Sequence, residues 1–486
     1  MRITTMSRTP HFDEVLVEDS VFEQYAAARE EYGERLDELQ RSCDALRETI
    51  GRRCIWHINS TAFGGGVAEM LPHHVCLQRE LGIDVRWLVF KPKQAAFFRF
   101  TKALHNALHG VSTTDMDELL PGYLATSNEA AAELEKIIGP HDMLIVHDPQ
   151  PLAAAAAFLR SRPHPAIWRC HIGYPGRTPT VDDARRCLAE HLQPFQRIVL
   201  SDPAYAFDSA HPVDIIQPSI SPFSSKNRCY ADPADPALAA AVSFKGYAQE
   251  PAPSLQVLLD SRYFLHVSRW DGLKGIDRLI AAFDRFARNA GNDARDIRLV
   301  IAGPDPTAVA DDPEDRAYFD RYARVCARLS AQVRRRVHLA CVSTEDADAN
   351  AEIIGRLQQN AYAVFQLSRQ EGFGLTTTEA LFRGKPVVVS AACGLKRQVI
   401  DGVNGIVLDE PYIEVKASEM MLRLASAYGD FAHMARTART RCLHQGTQLS
   451  HIPAWHRAIR AALAGFEHTA AHASMPAPPL AMDTRP

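Results

Sequence analysis

Short apolar runs recur along this chain with helical stretches between them, and they form two separate series. The first comprises Cys54–Ile58, Val85–Phe90, Met143–Val146, Ala166–Cys170, Arg197–Leu200 and Val213–Ile216. The second comprises Tyr263–Val267, Ile297–Ile301, Val337–Ala340, Ala363–Phe365 and Pro386–Val389. Runs this short and apolar read as strands buried on both faces, and strands alternating with helices pack as an open, mostly parallel sheet. At 486 residues the chain is long for a single core. The expected fold class is therefore α/β, with two Rossmann-like domains facing each other across a cleft and chemistry at the strand ends that border it.

Residues 13 to 50 space Phe22, Tyr25, Leu36, Leu39, Leu46 and Ile50 among acids and arginines, the pattern of a helical lead-in that either covers a domain or joins two protomers as a homodimer. The expected division is a helical extension over 1–50, a first Rossmann-like domain over 51–250, a second over 251–440 and a helical segment over 441–469. A disordered tail is expected over 470–486, where alanine, proline and polar residues take over. Cys229 to Pro253, with clustered proline, glycine and alanine, reads as the crossing between domains. A net charge of −4 argues against a non-specific nucleic-acid binder, which depends on neutralising phosphates. The ten cysteines are scattered without a CxxC pair, and neither a signal-peptide run nor an apolar stretch of membrane-spanning length is present. The expectation is a soluble cytoplasmic protein with reduced thiols.

The segment Glu371-Gly372-Phe373-Gly374-Leu375-Thr376-Thr377-Thr378-Glu379 follows a predicted strand and opens a predicted helix. Two carboxylates thus bracket a glycine-containing turn whose backbone N–H groups suit a phosphate, while the acids accept hydrogen bonds from sugar hydroxyls. A sugar carrying a diphosphate needs both. Arg269 and Lys274, just beyond the strand ending at Val267, place a forked and a compact positive charge at another strand end of the same domain. In the first domain, Gly64-Gly65-Gly66 connects a strand to a helix and permits close approach of a ligand, although it is not a GxGxxG fingerprint. His171 also ends a strand, where an imidazole can donate to a sugar hydroxyl. Each feature has a plain structural alternative. Thr376 and Glu379 have capping-box spacing, Arg269 and Lys274 suit a solvated loop, the glycines suit a tight connection, and His171 suits a sheet edge. His147-Asp148-Pro149 reads as a turn. Asp115 and Asp117, like Asp311, Asp312, Glu314 and Asp315, read as solvated acids, and the adjacent His73 and His74 lack the spacing of a zinc helix; no metal site is assigned.

Taken together, these residues resemble the retaining glycosyltransferases of glycosyltransferase family 4, and most specifically the trehalose glycosyltransferring synthases. The likeness is carried by Glu371 and Glu379, by Arg269 and Lys274, and by four further stretches: Trp56–Glu69, Trp168–Ile172, Pro218–Pro222 and Asp311–Glu314. It spans roughly residues 45 to 435. The resemblance implies a GT-B fold and transfer of a hexose, with glucose expected, from a UDP-, ADP- or GDP-hexose to a small sugar. Trehalose would be the product if that acceptor is glucose, and no cofactor or metal is required. It further implies that Glu371 touches the donor sugar, Glu379 the ribose, and Arg269 and Lys274 the departing diphosphate. Backbone groups of Gly372, Phe373, Gly374 and Leu375 would bind phosphate or sugar oxygens, Gly64, Gly65 and Gly66 would lie at the reaction centre, and His171 would contact the transferred hexose. The chain differs from the synthase pattern at Gly173 and Ser221, where aspartates are usual, and over Ala391–Lys396, where a glycine-rich segment is usual. Three other readings stay open: transfer to another small metabolite or natural product, a phosphorylase using inorganic phosphate, and a nucleotide-sugar sensor without turnover.

Overall fold

The computed structural model of the chain describes residues 3–111, 116–244, 253–307 and 313–473. Asp115, Asp311, Asp312 and most of the expected tail lie outside these residues.

Two sheets form, one from each series of apolar runs. The first has eight strands: β1 (Ile3–Thr9), β2 (Phe12–Val17), β3 (Ile55–Asn59), β4 (Val85–Phe90), β5 (Met143–His147), β6 (Ala166–Cys170), β7 (Arg197–Leu200) and β8 (Val213–Ile215). Their order is β1-β2-β4-β3-β5-β6-β7-β8; β1–β2 and β2–β4 are antiparallel and the rest parallel. The second has seven: β9 (Val242–Phe244), β10 (Tyr263–Val267), β11 (Arg298–Pro304), β12 (Val337–Val342), β13 (Ala363–Gln366), β14 (Val387–Ser390) and β15 (Ile406–Leu408). The order is β15-β14-β13-β10-β11-β12-β9, parallel except for the β9–β12 edge. Both series were expected to be buried on both faces, and β3, β5, β6, β10, β12, β13 and β14 are buried at every residue. Each sheet separates two apolar clusters.

Strand order locates the ligand crevice before any side chain is considered. The chain reverses its direction of winding between β3 and β5 in the first sheet and between β10 and β13 in the second. Crevices open beyond the carboxyl ends of strands at such switch points. The residues that follow β3, β10 and β13 are Ser60–Gly66, Ser268–Lys274 and Leu367–Gly374.

The lead-in differs from its expected form. It is helical only from Phe22, in Phe22–Ala27 and Arg29–Ile50, and it begins as a β-hairpin that extends the first sheet. Strand β1 is an edge strand with most of its residues exposed, so it carries no apolar alternation to read. The acids that suggested a helix are ion-paired on the sheet instead: Asp13 with Lys91, and Glu14 with Arg8 at 3.2 Å. The helix Arg29–Ile50 buries Tyr32, Leu36, Leu39, Leu46 and Ile50 in a cluster with Leu449, Ile452, Trp455, Ile459 and Leu463 of the helix Gln448–Ala473. Each such side chain contributes roughly 1.5–3 kcal/mol on burial, so the apolar stripe of the lead-in is used within its own chain. The last helix therefore returns to the first domain, and it continues past the expected start of the tail to Ala473. Asp315, expected to be solvated, is buried in the helix Pro313–Ala327. Among the described residues no helix is long and apolar enough to cross a membrane.

Candidate active site

On the second domain the wall of the cleft is built from the ends of β10 and β13. After β10, Asp271 accepts from the Leu273 N–H at 2.8 Å and starts a one-turn 3-10 helix, Gly272–Lys274. Gly275 then adopts φ 67°, and a Cβ there would stand 1.9 Å from the carbonyl oxygen of Leu367. Only glycine fits this packing, and it aims Lys274 at the turn after β13. Lys274 Nζ donates to both carboxylate oxygens of Glu371 at 2.8 Å, and Ser368 Oγ adds a bond of 3.3 Å. Arg369 ties the two loops together through the Leu273 carbonyl at 2.7 Å and a bidentate pair with Asp277 at 2.8 Å. Arg269 is about half exposed, with its guanidinium 3.9 Å from Asp271.

The helix beyond Glu371 runs from Leu375 to Phe382 and is preceded by Gly374 in the left-handed region, with no side-chain cap. The capping-box alternative is thereby set aside. Thr376 lies inside the helix and its hydroxyl accepts from Gln366 at 3.2 Å. Glu379 is almost fully buried; it accepts from Gln358 at 2.7 Å and lies 3.6 Å from Lys226 Nζ, which also donates to Glu69 at 2.7 Å. Burial works against the Lys226 charge, but the two carboxylates outweigh it and hold its pKa above the usual lysine value.

On the first domain, β3 leads through Gly64 and Gly65, both at positive φ, into the helix Gly66–Glu80. A Cβ on Gly66 would come within 3.0 Å of Leu375, and one on Gly372 within 3.0 Å of the His171 carbonyl. The two domains thus meet where the glycine turn, His171 and the Glu371–Leu375 turn converge. The His171 ring is oriented inward: Nε2 is 3.3 Å from Arg169 Nε and 3.4 Å from His147 Nδ1. Its backbone N–H donates to Asp148 at 2.7 Å. Asp148 sits in a turn as expected, at φ 62°, but it also anchors the neighbouring strand end; burial pushes its carboxyl pKa up to about 6.

Tertiary structure adds four residues that the sequence did not single out. Lys226 comes from the segment after β8, just before the crossing, and Tyr205 from the loop after β7. His105 and His109, one turn apart at the end of the helix Ala95–Leu108, feel the charges of the second domain. Burial drives the His105 pKa down to about 3, with His109, Arg269, Lys102 and Lys274 adding to the effect. His109 is lowered by burial and by Lys274 and is partly offset by Glu371. The i, i+4 spacing of the two histidines was visible, but nothing local said which way that face points. His73 and His74 are buried in the core, and among the described residues no group of three or more His, Cys, Asp or Glu is placed to hold a metal ion.

Known proteins match this architecture in both halves. Residues 57–207 match the trehalose synthase N-terminal domain and residues 252–439 the glycosyl transferases group 1 family. The trehalose synthase of Thermococcus litoralis is 30% identical over 78% of this chain and 85% of its own length, and that of Rubrobacter xylanophilus is 30% identical over 78% and 82%. Among solved structures, the α,α-trehalose-phosphate synthase (UDP-forming) from Burkholderia xenovorans, in complex with glucose-6-phosphate, superposes with a TM-score of 0.63. The match covers 84% of this chain and 99% of that one at 14% identity, which is a likeness of fold. With two facing Rossmann-like domains and matches that span both, the chain belongs to the trehalose synthase family of retaining GT-B glycosyltransferases.

Proposed function

We propose that the chain transfers glucose from a nucleoside-diphosphate glucose to free glucose, with retention at the anomeric carbon, forming α,α-trehalose. The observation that carries this reading is the convergence at one point of the cleft of Gly66 against Leu375, the His171 carbonyl against Gly372, and Lys274 on Glu371. Departure of the diphosphate leaves negative charge on its outer phosphate. Arg269, Lys274 and the N-terminus of the helix Leu375–Phe382 are the groups suited to stabilise it. Once Lys274 turns to the phosphate, Glu371 is released to accept from the hexose hydroxyls. With attack from the same face, the departing phosphate oxygen takes the acceptor proton, and no protein nucleophile is needed. The close contact of the two glycine turns excludes water that would otherwise hydrolyse the donor.

In this reading Glu379 receives the ribose, for which Lys226 must withdraw from the carboxylate, and the His171 ring turns out of its inward position to meet the hexose. None of the ten cysteines is in a disulfide, which suits a reducing compartment, and we place the reaction in the cytoplasm. The test is incubation of purified protein with UDP-, ADP- and GDP-glucose, each with glucose, glucose 6-phosphate or no acceptor, and product identification by NMR. An α,α-linked disaccharide formed only with glucose supports the proposal and names the donor. A phosphorylated product reassigns the acceptor. Turnover of trehalose with inorganic phosphate and no nucleotide dependence replaces the proposal with a phosphorylase.

A further inference from the structure

We infer that Tyr205 is a positioning residue for the donor, a first-domain hydroxyl that fixes the peptide groups of the Glu371–Gly372 turn. The inference rests on the donor site proposed above. Tyr205 follows β7 in a short 3-10 turn, Pro203–Tyr205, whose start is fixed by Asp202 accepting from the Ala204 N–H at 2.8 Å. The residue is buried, with 3% of its surface exposed. Its hydroxyl reaches across the cleft to lie 2.9 Å from the Gly372 carbonyl and 3.1 Å from that of Glu371, so it donates to the second domain.

Two further observations make this a built arrangement. First, Gly173 leaves the space in which the ring lies: a Cβ at that position would stand 2.2 Å from Tyr205 Cγ and 2.6 Å from its Cβ. Second, other groups also engage the carbonyls of the same turn. The Gly394 N–H donates to Glu371 O at 3.2 Å, and the Gln398 amide donates to Phe373 O and, at 3.3 Å, to Gly374 O. A trans peptide directs its N–H opposite to its C=O. Holding the carbonyls of 371–374 therefore sets the direction of the N–H groups of Gly372, Phe373, Gly374 and Leu375, which are the groups a diphosphate sugar would use. Gln398 and Gly394 belong to the second domain, whereas Tyr205 belongs to the first. The Gly372 carbonyl is consequently held from the first domain, and only when the two domains are together, so through it Tyr205 couples donor binding to closure.

The test compares Tyr205→Phe with the unaltered protein, measuring donor affinity by calorimetry, kcat and KM for donor and acceptor separately, and the melting temperature. Phenylalanine keeps the ring against Gly173 and removes only the donor O–H. The expected result is a rise of roughly three- to tenfold in donor Kd and KM, with the acceptor KM and the melting temperature little changed. A second variant, Gly173→Ala, displaces the ring and should raise the donor Kd similarly, and the double variant should be no worse than the poorer single one. Unchanged donor affinity in Tyr205→Phe overturns the inference, as does an additive double variant. A fall in melting temperature with equal loss for both substrates does so too, because it marks a structural role. Absence of nucleotide-sugar binding by the unaltered protein would instead defeat the functional proposal itself.

Discussion

Lys274 and Glu371 hold each other at 2.8 Å through both carboxylate oxygens, so each is the reference state for the other. Lys274→Met removes the compact charge proposed to face the leaving phosphate and leaves Glu371 at the mouth of the cleft. Steady-state kinetics should show kcat/KM reduced by roughly 10²–10³-fold, a loss of the size seen when one group stabilising developing charge is removed. The melting temperature should fall less than on breaking a fully buried pair, since Lys274 and Glu371 keep 20% and 13% of their side-chain surface exposed. Lys226 is different in kind because it stands between Glu69 and the buried Glu379. Lys226→Met strands a buried carboxylate and should cost about 3 kcal/mol in urea denaturation at pH 7. The loss should shrink toward pH 4, because burial holds the Glu379 carboxyl pKa above its usual value and a protonated Glu379 no longer needs a cation. A loss independent of pH would mean that Lys226 acts through packing alone.

At the scale of elements, the site depends on where two loops are allowed to approach. Gly275 begins the helix Ile276–Asn289 in the left-handed region, with the Leu367 carbonyl occupying the place of a side chain. Gly275→Ala forces the β10 and β13 loops apart; backbone strain alone is about 1–3 kcal/mol. Denaturation should show at least that loss, together with a raised donor KM, because Lys274 is the preceding residue. Much of this element layer was legible in the sequence. The strand after which Lys274 falls, the turn bracketed by Glu371 and Glu379, and the helix opening near Leu375 all follow from local pattern. The hairpin of β1 and β2 was not legible, since an exposed edge strand carries no alternation and its acids mimic a helical surface. The three-residue strands β9 and β15 were missed for a related reason: they are too short to show a period.

Across the whole molecule, an unusual share of the first-domain core is histidine. His57 contacts His147 at 2.9 Å, His147 leads to His171, and the ring of His57 lies edge-on to His74, whose ring neighbours that of His451. Burial lowers the His57 pKa to about 3 and drives His74, His147, His171 and His451 well below the usual value. Neutral burial of these rings stabilises the fold fully above pH 6.5, the unfolded value. As pH falls below it, the unfolded chain takes up protons that the native chain refuses, at about 1.4 kcal/mol per pH unit for each histidine. Asp148, raised to about 6, works in the opposite direction: its contribution is complete below pH 4 and is lost as pH rises through 6. One carboxyl cannot offset five histidines. The melting temperature should therefore fall steadily from pH 7 to pH 5, and a flat profile would show that the histidines accept protons in place.

The sequence by itself determined the two α/β halves, the strand ends that border the cleft, and the residue types available there, because all of these follow from short-range periodicity and from the chemistry of single side chains. It could not determine which of those ends meet. That Lys274 rests on Glu371, that Lys226 guards Glu379, that Tyr205 reaches the Glu371–Gly372 turn from the other domain, and that His171 faces Arg169 are contacts between residues 97 to 167 positions apart or between neighbours turned by the core around them. Such contacts are set by strand order and domain packing, which arise only when distant apolar faces are buried together, and no local pattern encodes them.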